Sequence, residues 1–100
     1  SETLAQVDER LEAFEAGGPV SAIDTQGWST QQWLRFLNGL PRELSQERLR
    51  ELDEGLTLSN SENAYVQSAW FELAIVNRYE PAFPAMAEFV GRIGRGQRAD

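Results

Sequence analysis

The sequence predicts an all-α fold. Three observations carry that prediction: apolar side chains recur every three to four residues through five separate segments, capping residues stand where those segments start, and no stretch shows the alternation of a strand. The segments are joined by short turns, as antiparallel neighbouring helices require. A chain of 100 residues makes one domain, 1–100, large enough to bury a core but small for a complete enzyme.

Residues 3–15 place Leu4, Val7, Leu11 and Phe14 at heptad-like spacing, with Asp8, Glu9, Glu12 and Glu15 largely off that seam. Thr3 and Gln6 have the spacing of a capping box, and Gly17-Gly18-Pro19 ends the helix. The single narrow stripe implies contact with one neighbour only. Residues 20–27 have no helical period and read as a loop. Then comes the sharpest local signal: Ser29 as N-cap, Gln32 completing a capping box, and Trp28 stapled against Trp33. The helix so begun turns Trp33, Leu34, Phe36, Leu37 and Leu40 inward and stops before Pro41.

Ser45 caps the third helix, with Leu44 set to staple Leu49. Leu49, Leu52 and Leu56 form its inner stripe, and Glu47, Arg48, Arg50, Glu51, Asp53 and Glu54 read as a solvated face. Gly55 is expected to end it, and residues 57–61 form a polar turn. Residues 62–78 then hold the core helix, where Tyr65, Val66, Ala69, Trp70, Leu73 and Ala74 share a face that Phe71 and Ile75 widen. Of its interior only Gln67, Ser68 and Glu72 read as wet. A helix apolar over so much of its circumference is sandwiched between neighbours, and each large side chain it buries contributes about 1.5–3 kcal/mol.

The fifth helix is expected from Pro81, whose fixed φ suits a first helical position, with Pro84 still in the first turn. Phe83, Met86, Phe89, Val90 and Ile93 make its stripe, and Glu88 and Arg92 its outer face. Gly91 weakens it, and Gly94 is read as its C-cap. The short link at 78–80 makes the last two helices an antiparallel hairpin. Two consecutive hairpins stacked in this way predict an α–α superhelix of the armadillo or HEAT kind, while the weak residue-level repeat leaves a compact irregular bundle open.

Charge and composition exclude several functions. The net charge of −7 argues against nucleic acid, which asks for a basic face. With no Cys there is no disulfide or thiolate chemistry, and with no His the commonest metal ligand and neutral-pH base are missing. No apolar run is long enough to span a bilayer and the first residues do not read as a signal peptide, so a soluble, cytoplasmic protein is expected. Carboxylate pairs such as Asp53 with Glu54, or Glu12 with Glu15, lie on polar helix faces with no sign of a pocket. The constellation that remains is Arg92, Arg95 and Arg98, interleaved with glycines at 91, 94 and 96 that let a ligand approach the backbone. Cations at a helix C-terminus also complement its dipole, and residue physics alone favours that plainer role.

From Trp28 to Gln97 the chain resembles the helical C-terminal domain of the leukotriene A-4 hydrolase-like aminopeptidases, within the aminopeptidase N-like zinc metallopeptidases. WSTQQWLRFL, NAYVQSAWFELAI, YEPAFPAMAEFV and the closing GRGQ carry the likeness through their order and spacing. The resemblance implies a right-handed α–α superhelix docked on a catalytic domain of the same polypeptide. It further implies that the arginine of a closing Gly-Arg-x-Lys motif reaches the free carboxylate of a short peptide substrate. That role falls on Arg95, preceded by Gly94 and supported by Arg92; the family's lysine falls on Gln97, which is neutral. Tyr65 stands where relatives often carry Glu.

The family's HExxH zinc site and GxMEN segment are not in this sequence. Zinc is therefore expected in a separate catalytic domain, with no cofactor held by this chain, and the chain reads as a non-catalytic wall of the active-site cleft and as part of a longer protein. The rival readings are a stand-alone α-solenoid that binds a protein partner and a purely structural bundle. Because the core helix has more apolar surface than one hairpin covers, an isolated domain is expected to expose an apolar face and to self-associate.

Overall fold

The structure, a computed structural model, describes residues 3–97, with side chains through residue 95. Five helices run in the order α1 (Leu4–Glu15), α2 (Thr30–Gly39), α3 (Gln46–Leu56), α4 (Ala64–Val76) and α5 (Phe83–Gln97), with short 3-10 turns at Val20–Ala22 and Glu80–Ala82. No strand occurs among the described residues, so the fold is all-α. The helices form a thin slab of 44 × 29 × 18 Å.

Local chemistry sets the helix starts. Thr3 Oγ1 accepts from Gln6 N while Gln6 Oε1 accepts from Thr3 N, and Ser29 with Gln32 repeats this reciprocal box at α2. Trp28 packs edge-on against Trp33 at 5.2 Å. Ser45 Oγ caps α3 by accepting from Arg48 N. α4 starts at Ala64, two residues later than the sequence places it, because Asn63 is its N-cap: the Asn63 side chain accepts from Tyr65 N and Val66 N and donates to Thr30 Oγ1.

Three glycine and proline expectations are corrected. Gly55 stays inside α3, where a Cβ would stand 2.6 Å from Val20 Cγ1, so its function is close approach; Thr57, left-handed at φ 54°, supplies the cap. Gly94 likewise remains helical, since α5 continues to Gln97, and is not a C-cap. Pro81 lies inside the 3-10 turn, second after Glu80, and α5 itself starts at Phe83. Upstream, α4 ends at Val76, and Arg78 takes the left-handed conformation at φ 52°.

At the centre α2 lies against α1 and α4. Val7, Leu11 and Phe14 of α1, Phe36 and Leu37 of α2, and Val66, Trp70, Phe71, Leu73 and Ala74 of α4 are buried, and Phe89 of α5 meets Phe71 edge-on at 5.4 Å. Gly39 lets α1 and α2 close up, because a Cβ there would lie 2.5 Å from Leu11 Cδ1. Residues 4–15 thus belong to the same core. Their stripe has a second contact beyond α2: the Arg48 guanidinium of α3 stacks 3.7 Å from the Phe14 ring centroid and donates to the carbonyls of Phe14 (2.6 Å) and Gly18 (3.1 Å). Asn77 ties the 42–44 link to the end of α4, donating to Arg42 O and accepting from Leu44 N.

The core helix differs from its expected face at three residues. Tyr65 is 70% exposed and Ile75 56%, whereas Gln67, read as wet, is buried at 6%.

Candidate functional site

Gln67 is the start of the site, because a buried amide in an apolar helix needs partners for both its ends. Its Nε2 donates to Ser59 O at 2.9 Å, which fixes the amide orientation and turns Oε1 toward α5. Ser59 is in turn held by α3: its N–H and Oγ donate to the two oxygens of Asp53 at 2.8 and 2.9 Å, and its Oγ accepts from Trp70 Nε1 at 3.0 Å. Tyr79, edge-on to Trp70, closes the group. Burial first, and then the negative charge of the Asp53 carboxylate, push its phenol up to about 12.

Arg92 meets this network from α5. Its Nη2 donates to Gln67 Oε1 at 3.4 Å and its Nη1 lies 3.7 Å from Glu88 Oε1, one turn back. Both contacts are long, and the side chain is 51% exposed, so the guanidinium keeps donors for a further acceptor. Beside it runs a groove of about 500 Å³ between the start of α4 and the far half of α5, lined by Ser61, Glu62, Ala64, Gln67, Phe89 and Ile93 as well as Arg92. A smaller polar hollow of about 140 Å³ opens on the other side of Arg92, against Ser59, Asn60 and Glu88.

Arg95 is exposed and lies back along α5, its Nη1 3.3 Å from the point where a Cβ on Gly91 would stand. Gly94 meets open space. Gln97 closes α5, but its side chain lies outside the described residues, as does Arg98 altogether. Of the sequence-derived constellation, then, the structure brings Arg92 into a network and leaves Arg95 on the open face of the helix.

The carboxylate pairs do not form a reaction centre. Asp53 is taken up by Ser59, Glu54 faces Arg50 at 3.9 Å, and Glu12 and Glu15 are exposed. Among the described residues no three acidic side chains gather as metal ligands, and no helix is long and apolar enough to cross a membrane.

The family described as "Leukotriene A4 hydrolase, C-terminal" matches residues 28–97. The chain belongs to that family. Among curated relatives it is similar to the leucine aminopeptidases 2 of Chaetomium globosum (28% identical), Neurospora crassa (30%) and Pyricularia oryzae (27%), each over 78 residues and 75% of this chain. The chain spans only 12–13% of the length of these relatives. No solved structure matches it. The family match takes in α2 to α5 and the whole Ser59–Gln67–Arg92 network, while α1 lies outside it.

Sequence reasoning missed Gln67, Ser59 and Asp53. The available signal was a lone amide in a helix otherwise apolar nearly all round, since burial there obliges it to find partners.

Proposed function

We propose that the chain is the non-catalytic C-terminal domain of a zinc aminopeptidase, forming one wall of the active-site cleft and holding the carboxylate end of short peptide substrates. The observation that carries this reading is the family match over residues 28–97, a span that includes Gly94 and Arg95. Arg95 supports it: an exposed guanidinium without an ion pair among the described residues, on a glycine-rich helix face, presents a planar fork to a carboxylate.

The donors present do not fit zinc. The chain has neither His nor Cys, and among the described residues its carboxylates do not converge, which supports a metal held by another part of the longer protein. Docking on a catalytic domain is supported by apolar side chains left in water at the α4–α5 end: Ile75, Val76, Phe83 and Val90 are 39–60% exposed. Without that partner the same face is the one through which isolated copies would associate.

The test is Arg95→Ala in the longer aminopeptidase. The substitution should lower turnover of tripeptides by about tenfold, the worth of one charge-assisted hydrogen bond, while leaving aminoacyl amides, which lack the carboxylate, nearly unchanged. Equal losses on both would remove Arg95 from substrate binding.

A further inference from the structure

We infer that the groove between the start of α4 and the far half of α5 is the subsite for the C-terminal residue of the peptide, Arg92 binding its carboxylate and Phe89 and Ile93 receiving an apolar side chain. This rests on the reading that the domain holds the carboxylate end of the substrate. It makes Arg92, a supporting residue in the sequence reading, a direct ligand of the carboxylate, and adds a pocket and a preference in peptide sequence.

Arg92 has the properties a carboxylate seat needs. It is placed by a rigid partner, because Gln67 is 6% exposed and its amide is oriented by Ser59, which Asp53 holds in turn. Its fork is nevertheless not saturated, since its two contacts are 3.4 and 3.7 Å long. Gln97 brings no charge, and Arg92 stands three residues before Arg95, on the adjacent turn of the same helix. Two guanidinium groups at that spacing can share one carboxylate, each supplying donors.

The rest of the groove sets what precedes that carboxylate. Phe89 and Ile93 give it an apolar wall, and about 500 Å³ accommodates a leucine-sized side chain without displacing the core. Glu62 lies on the opposite lip, so an acidic C-terminal side chain would meet a like charge. Glu88 competes with the substrate for Arg92 from one turn back. The class of substrate that fits is a short peptide with a free, apolar C-terminal residue.

The experiment uses the longer aminopeptidase and three tripeptides that differ only at the C-terminus: leucine acid, leucine amide and aspartic acid. Arg92→Ala should reduce kcat/KM for the leucine acid about tenfold and for the amide by less than about twofold. Glu88→Gln should lower KM for the leucine acid about two- to threefold, an improvement that loss of a merely structural contact would not give. Ile93→Lys should narrow the preference for leucine over aspartate by about tenfold. Equal losses on acid and amide for Arg92→Ala, with Arg95→Ala still selective, would overturn this inference and leave the proposed function standing. No selectivity from either arginine would overturn both.

Discussion

Arg48 and Arg92 sit on the polar sides of two amphipathic helices and meet opposite surroundings. Arg48, in the α1–α3 half, donates to Phe14 O and Gly18 O, pairs with Glu51 at 2.9 Å and stacks on Phe14, so both terminal nitrogens of its fork and its flat face are engaged. Arg92, in the α4–α5 half, has two long contacts and half its surface in water. Saturation, more than burial or charge, separates an arginine that holds the fold from one that is free to hold a ligand.

The sharpest way to break this contrast is to remove each arginine and measure stability by urea unfolding. Arg48→Ala should cost about 2–3 kcal/mol, because two backbone carbonyls lose their charged donor and Phe14 its stacking partner. Next in size is an alkaline effect in the network behind Arg92. The Tyr79 phenol titrates at about 12 in the fold against 10.0 when unperturbed, so the unfolded chain loses its proton first. Stability is then intact below pH 10 and falls as pH rises toward 12, by about 2 kcal/mol in all. Tyr79→Phe should flatten that slope. The smallest effect belongs to Arg92→Ala, expected to change stability by no more than about 0.5 kcal/mol while altering substrate discrimination. A cost equal to that of Arg48→Ala would erase the distinction.

The halves also differ in how much of them could be read from sequence. The starts of α1, α2 and α3 were legible at Thr3, Ser29 and Ser45 because an N-cap acts within three residues, and the apolar stripes of these helices follow from period alone. What escaped was longer in range. Arg48 and Asp53 read as solvent-facing because their helix period says so, yet their partners lie 30–34 and six residues away. Asn77 works across 33–35 residues, and Gln67 was put on the wrong side of a helix whose flanking residues are nearly all apolar. Gly55 was misread for a related reason. Glycine permits a turn, but it equally permits contact with a neighbour that the sequence does not name, as Val20 is for Gly55. Arg92 and Arg95 were legible as members of an arginine cluster, but the contact of Arg92 with Gln67 depends on a partner in another helix.

The fit of Leu11 against Gly39 bears on how this protein can be cut. A fragment begun at Trp28, where the family match begins, would take α2 without the helix it is shaped to meet. Arg35 would lose its bidentate grip on Asp8, Arg48 would lose both carbonyls and its aromatic ring, and the bare strip at Gly39 would face water. Such a piece would stick to surfaces and to itself whatever the longer protein does, and the smallest honest unit for expression or crystallisation begins no later than Thr3.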